Sequence, residues 1–494
     1  MLFNSYIFIF LFLPIAVCGW YLLHKTGKPL IPKLFLVGMS LWFYAYFNIS
    51  YLPIIVGSIL FNYLLYLLFG RVVPRVRRRV LLGVGLAANI GVLFYYKYLD
   101  FCVENINALF HADHPLRHLL LPLGISFFTF QQVSFVVDSY KGKVPRYSLP
   151  DYALFVSFFP QLIAGPIVLH DEMIPQFSDP VCGRWNSENF ARGLTAFSFG
   201  LAKKVLVADA FGGIANFGFD HIPSLDFGGA FFAMLAYTLQ IYFDFSGYCD
   251  MAVGLGLFFN IRIPQNFNSP YRALDMDDFW KRWHITLTRF LRTNVYFPLG
   301  GSRKGTARRY VNMMIVFLVS GVWHGANWTF ILWGVLNGAA VCVCKALAPL
   351  LEKMHRRAVW KALLWALTFL CVNLLWVLFR ADSVSLAWEM IRRLFSFRVG
   401  ALPETYYKVL QTGEFSLLTW AAGKLSEGFG TAVYKGLFFA AFGFGIFASV
   451  RLRNTHERLE RFRPTAPRCI VCVILFVWSV LSLSGVSTFL YFNF

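Results

Sequence analysis

Apolar runs close to twenty residues long recur from one end of this chain to the other, and they limit what it can become. The bilayer's hydrocarbon core is about 30 Å thick, so a crossing helix needs about 20 mostly apolar residues. Runs of that kind occupy 2–23, 34–48, 51–69, 80–98, 118–138, 194–212, 228–248, 311–328, 329–350, 361–380, 430–450 and 469–489. Two shorter runs, 152–169 and 250–263, contain Pro or Gly, and they read as re-entrant or protein-buried pieces, because free backbone groups cannot face lipid. The first run has no basic stretch ahead of it and no small-residue cleavage site, which favours a retained helix over a signal peptide. The expected fold is all-α and polytopic, with eleven or twelve crossings in a single membrane domain over 1–494. Its core would cover about 1–385, and an outer amphipathic segment and further helices would fill 386–494.

Composition supports this class. Of the 494 residues 58% are hydrophobic and 14% charged, with 55 Phe, whereas soluble domains carry roughly 25% charged residues. Disordered chains are poor in aromatics and rich in charge, so the bulk of the chain is not disordered. The net charge of +20 in a soluble protein would point to nucleic acid. Here the basic residues cluster in alternate loops: Lys25, Lys28 and Lys33; Arg71 and Arg75 to Arg79; Lys141, Lys143 and Arg146; Arg303, Lys304, Arg308 and Arg309; Lys353 to Lys361; Arg451 to Arg463. All fall on one side if the N-terminus lies outside, which is the positive-inside pattern and requires no nucleic acid. The lipid bilayer is the partner this charge distribution predicts. The nine cysteines have no paired spacing for zinc or a disulfide framework and read as small buried hydrophobes. No metal site is expected.

Most of the ten histidines fall in loops or at span ends, and two do not. His324 lies in Ser320-Gly321-Val322-Trp323-His324-Gly325-Ala326-Asn327-Trp328. It is 14 residues beyond Tyr310, or roughly 21 Å along a helix, which places it past the midplane toward the outside. An ionisable group at that depth is costly and faces a cavity or a partner; the alternative is a histidine bonded to a backbone carbonyl between helices. His284 lies in a stretch from Asp277 to Arg292 whose apolar residues at 280, 283, 287, 290 and 291 predict one amphipathic helix at the inner boundary. On that pattern alone His284 is a surface residue. Asp244 and Asp250 flank Phe245-Ser246-Gly247-Tyr248 and could hold a kink, neutralise nearby basic residues or line a polar path.

Several motifs occur in order: Phe159-Pro160-Gln161-Leu162-Ile163-Ala164-Gly165-Pro166-Ile167, Gln240 through Tyr248, Asn266-Phe267, Pro270-Tyr271, Phe279-Trp280-x-Arg282-Trp283-His284, Pro298-Leu299-Gly300-Gly301, Trp323-His324-Gly325, Leu332-Trp333-Gly334 and Phe379-Arg380-Ala381. Together they closely resemble the membrane-bound O-acyltransferases, and within them the alginate O-acetyltransferase branch of bacteria. The resemblance covers roughly residues 1–385. It implies catalytic roles for His324 and His284, and it makes their motif neighbours Asp244, Tyr248, Trp280, Arg282, Trp323 and Asn327 candidates for substrate binding along a central catalytic tunnel. It further implies transfer of an acetyl group from a cytoplasmic thioester, acetyl-CoA being the expected donor, for O-acetylation of an extracytoplasmic polysaccharide of the alginate, cellulose or peptidoglycan type. The setting would be the bacterial inner membrane, with an outer partner of the SGNH-hydrolase type and no permanently bound cofactor. Two rivals stand beside it: acylation of a protein or lipid, and a transporter or flippase without covalent chemistry.

Overall fold

A computed structural model describes residues 1–71, 74–409, 416–483 and 489–490, and every described element is helical. Contacts divide the chain into two compact units, Met1–Phe197 with Cys249–Gln265, and Ser198–Tyr248 with Asn266–Phe494.

The first unit opens on a π turn (Phe8–Phe12) leading into α1 (Leu13–His24), then α2 (Leu30–Ala45), α3 (Leu52–Gly70), α4 (Arg75–Lys97), α5 (Leu99–Phe110), α6 (Ile125–Tyr140), α7 (Leu149–Ser157), α8 (Phe159–Leu162) and α9 (His170–Ser178). Polar side chains tie three of these together, because a lone amide in an apolar interior costs free energy unless it is bonded. Asn62 of α3 and Asn89 of α4 exchange amide hydrogen bonds of 3.0 and 2.7 Å, and Gln132 of α6 donates to Ser58 at 3.2 Å. The 152–169 run is broken as expected: two short helices end at Leu162, and 163–169 is not helical.

Next come α10 (Ser187–Ala202), a π turn over Lys203–Ala208, α11 (Asp209–Asp220) and α12 (Phe227–Phe258). The 32-residue α12 corrects one expectation. Residues 250–258 continue this helix instead of forming a separate re-entrant piece, and the chain leaves the helix only after Phe258. Glycine does not break a helix whose neighbours press against it: a Cβ on Gly254 would meet the Gly193 carbonyl oxygen at 2.6 Å.

The second unit continues with α13 (Met276–Arg282), α14 (Ile285–Leu291), α15 (Thr306–His324), α16 (Trp328–Ala346), α17 (Ala348–Met354), α18 (Ala358–Arg380), α19 (Val384–Leu394), α20 (Glu404–Lys408), α21 (Ser416–Leu425), α22 (Glu427–Val450), α23 (Thr455–Glu460) and α24 (Ala466–Leu481). α15 packs along α16, and glycine sets their approach. A Cβ on Gly321 would lie 2.4 Å from the Phe330 carbonyl oxygen, and one on Gly334 would lie 2.5 Å from that of Phe317. Small residues at such a crossing are the usual means of bringing membrane helices together.

Among the described residues five helices are long and apolar enough to cross a membrane, over Ile49–Gly70, Val76–Lys97, Trp328–Ala346, Ala358–Arg380 and Gly428–Val450. Shorter apolar helices cover Phe8–His24, Leu30–Ala45 and Ala466–Leu481. The 118–138 run is helical only from Ile125. The segment expected to be outer and amphipathic contains α19, which buries Ala387, Met390 and Leu394. Its residues 410–415 lie outside the described residues, as do 484–488 of the last run.

Candidate active site

The stretch around His284 is not the continuous amphipathic helix its spacing predicts. The helix breaks at Trp283 and His284, and His284 caps α14 from the left-handed region, at φ 45° and ψ 54°. A non-glycine residue there carries a cost of order 1–2 kcal/mol, and such residues persist where the surroundings over-determine them. The surroundings are visible. The Ile285 amide donates to the Asn266 carbonyl at 3.0 Å, and the Asn268 amide donates to the Arg282 carbonyl at 2.9 Å. An extended strip, 266–268, thus laces across the break. His284 is fully buried, which corrects the expectation of a surface residue. Periodicity cannot see a break whose cause lies 18 residues upstream.

The side chain of Asn266 determines the state of the imidazole. Its Oδ1 accepts from the Thr286 amide at 3.2 Å and from Thr286 Oγ1 at 2.8 Å. A backbone amide only donates, so Oδ1 is the acceptor, and His284 Nδ1, 3.1 Å away, must carry the proton it donates. In the neutral ring Nε2 then bears the lone pair. His284 lies between α13 and α14, outside the membrane-spanning helices. Burial pushes its pKa down to about 3, because a buried imidazolium loses its hydration. The ring is neutral across the physiological range.

His324 is the last residue of α15, and Gly325 departs in an extended conformation. Gly325 has no room for a Cβ, which would sit 2.1 Å from the Phe330 ring. The imidazole is 3% exposed and meets Trp323, Trp333 and Phe379 edge-on at 4.9, 5.1 and 5.1 Å between ring centres.

The two histidines belong to one circuit of rings. From His324 it runs to Trp333 (5.1 Å), Trp376 (5.8 Å), Trp283 (4.9 Å), Phe267 (4.9 Å), Phe245 (4.9 Å) and His284 (4.9 Å). It closes through Trp323, 6.0 Å from His284 and 4.9 Å from His324. The two imidazoles thus stand in one aromatic wall of low dielectric. In such a setting a fixed dipole or hydrogen bond acts far more strongly than in water.

The other sequence candidates fall into three groups. Trp323 lies against both histidines, and Trp280 is one ring further out, 5.6 Å from Trp333, donating from Nε1 to Asn337 Oδ1 at 3.2 Å. Asp244 and Tyr248 belong to a separate buried cluster: Asp244 pairs with Lys204 at 2.6 Å, and Tyr248 meets Phe489 at 4.5 Å. Arg282 and Asn327 are taken up by the scaffold. Arg282 pairs with Asp278 at 2.8 Å and reaches the Asn268 carbonyl; Asn327 caps α16 through the Thr329 amide at 3.0 Å and donates to the Asp382 carbonyl at 2.9 Å. Sequence reasoning missed Asn266, Thr286, Trp376 and Lys204 as members of these sites. Asn266 and Asp244 stood inside quoted motifs, but nothing in the spacing signals that each is paired to a residue on another element.

The described fold is helical with several candidate membrane spans, and it sets two buried histidines against one indole. The chain matches the sequence model of the MBOAT, membrane-bound O-acyltransferase, family over residues 96–381. It is 48% identical over 418 residues to the peptidoglycan O-acetyltransferase of Helicobacter pylori, covering 79% of each chain. It is 39% identical over 415 residues to the probable alginate O-acetylase AlgI of Pseudomonas aeruginosa, covering 82% of this chain and 76% of that one. A teichoic acid D-alanyltransferase of Bacillus subtilis is 27% identical over 263 residues, half of this chain and 64% of its own. The protein belongs to the membrane-bound O-acyltransferase family, in the alginate-like branch, and is a multi-pass membrane acyltransferase.

Proposed function

We propose that this enzyme moves an acetyl group from a cytoplasmic thioester, acetyl-CoA or an equivalent, to a hydroxyl acceptor at the outer face of the bacterial inner membrane, for O-acetylation of cell-envelope polysaccharide. The identity to the Helicobacter pylori relative makes peptidoglycan the first polymer to test and alginate the second. The observation that carries the reading is the circuit that sets His284 and His324 against one indole, Trp323.

The chemistry follows from the two imidazoles. His324 takes the proton of the acceptor hydroxyl as its oxygen attacks the thioester carbonyl. The C–S bond then breaks, and the departing thiolate recovers the proton from His324, so protons balance over the cycle. An imidazole suits both steps, because its ordinary pKa of about 6.5 lies close to working pH. The proton is received at the C-terminal end of α15, where the helix macrodipole favours the positive charge the step creates. His284, with Nδ1 tied to Asn266, offers Nε2 as an acceptor that orients a donor group of the substrates. A tunnel through the ring circuit would let the anionic donor stay on its own side, drawn there by the basic inner loops, while Trp323 and Trp280 wall the acyl group.

An extracytoplasmic SGNH-type partner fits an acceptor that carries the acetyl group onward, and 383–429 is the segment it would meet. Recovery of that partner in a pull-down after the segment is deleted counts against this docking role.

The decisive experiment uses purified protein in proteoliposomes with radiolabelled acetyl-CoA and muropeptide or oligo-uronate acceptors. Label should pass to the acceptor, and His324→Ala should abolish it. Transport of label with no ester formed would favour the flippase reading, label on lipid or protein would favour those acceptors, and transfer from a D-alanyl thioester alone would favour the chemistry named for the Bacillus subtilis relative.

A further inference from the structure

Asp244 sits on the motif that frames the site, yet its carboxylate is taken up by a lysine and a backbone amide. Oδ1 pairs with Lys204 Nζ at 2.6 Å, both side chains being 3% exposed. Oδ2 accepts from the Leu490 amide at 2.9 Å. Lys204 also pairs with Asp209 at 2.8 Å, and its ammonium lies 4.9 Å from the centre of the Phe489 ring.

Two backbone features accompany this pair. Lys204 is in the π turn Lys203–Ala208 that interrupts the helix between α10 and α11, and single π turns inside helices concentrate at functional sites. Gly247 lets α12 close on that turn: a Cβ there would lie 2.8 Å from the Gly200 carbonyl oxygen and 3.3 Å from the Lys204 amide nitrogen. The residue next to Asp244 is Phe245, whose ring meets His284 edge-on at 4.9 Å. One turn of α12 thus has an ion pair on one side and an imidazole on the other.

We propose that Lys204 and Asp244 are positioning residues: their buried ion pair sets the rotation and depth of α12, and through Phe245 it holds the His284 ring in place. Neither touches substrate. The inference rests on the acyl-transfer reading for its kinetic arm only. A buried pair is costly to break but replaceable as a whole, because removing one partner strands a charge while removing both does not. That asymmetry separates positioning from substrate contact.

The test compares Asp244→Ala, Lys204→Met, Lys204→Arg and the double variant Lys204→Met/Asp244→Leu, each checked for folding by gel filtration in detergent. Each of the first two should lower kcat about a hundredfold, the scale of a 1 Å misplacement, with KM for the thioester changed less than about threefold. Lys204→Arg should keep more of kcat than Lys204→Met, since the charge survives. The double variant should recover to within about tenfold of the parent. Hydrogen exchange over 276–292, which needs no turnover, should rise in Asp244→Ala and fall back in the double variant. A folded double variant as inactive as Asp244→Ala overturns the proposal, as does a Lys204→Arg loss equal to that of Lys204→Met, or unchanged exchange over 276–292 in Asp244→Ala. An inactive parent enzyme would tell against the donor or acceptor chosen for the assay, and the exchange arm would still decide the coupling.

Discussion

His284 donates from Nδ1 to Asn266 Oδ1 across 3.1 Å, and Asn266 can only accept there because the Thr286 amide already points at the same oxygen. One asparagine therefore selects the tautomer of a buried imidazole and caps the helix that follows it.

Asn266→Ala should be damaging in two ways. The Thr286 amide and hydroxyl and the His284 Nδ1–H would all lose their acceptor in a buried site, a cost of roughly 1–3 kcal/mol. Transfer should fall about a hundredfold as the ring loses its orientation. Thermal melts in detergent and single-turnover acetyl transfer read the two effects; a variant with parental rate removes the tautomer argument.

His324→Ala should abolish transfer while the protein still inserts and folds. Loss of a general base costs about 10²–10⁴-fold. Normal acetylation of polysaccharide in cells carrying only this variant would refute the assignment.

Acid should destabilise the fold through His284. Its folded pKa, about 3, lies below the ordinary 6.5, so between these values the unfolded chain takes up a proton that the folded one refuses. The contribution is intact above pH 6.5 and is lost as pH falls toward 3, with a slope of up to about 1.4 kcal/mol per pH unit. Melting temperatures from pH 7.5 to 5 should fall less steeply in His284→Gln than in the parent. Parallel curves would show that this ring does not titrate as stated.

Gly334→Ala should force α16 away from α15, because the new methyl group would lie 2.5 Å from the Phe317 carbonyl oxygen and 3.0 Å from the Gly321 Cα. Overpacking of this kind costs roughly 1–3 kcal/mol. It also displaces the helix that ends in His324, so kcat should drop together with the melting temperature. An unaltered kcat would mean that His324 does not depend on this crossing.

Much of this was legible in the residues alone. Recurrent apolar runs close to twenty residues long dictate a polytopic helical protein, because lipid offers backbone groups no partner. His324 was visible as an ionisable group near the end of such a run, flanked by glycines. His284 was visible only through its motif; its spacing argued for a surface helix, and the chain instead breaks there and buries the ring.

What the sequence determined by itself is the class of environment: recurrent apolar helices suited to lipid, with Lys and Arg gathered in the loops between them. Those properties are local sums over neighbouring residues. Pairing was decided only in three dimensions. Asn266 with His284, Lys204 with Asp244, and Trp283 with Trp376 in the ring circuit bring together residues 18, 40 and 93 positions apart. Their energies depend on distances of 3–6 Å that hydropathy and period do not encode. Close glycine crossings and a strained residue at the helix break set those distances, and both are consequences of packing rather than of composition.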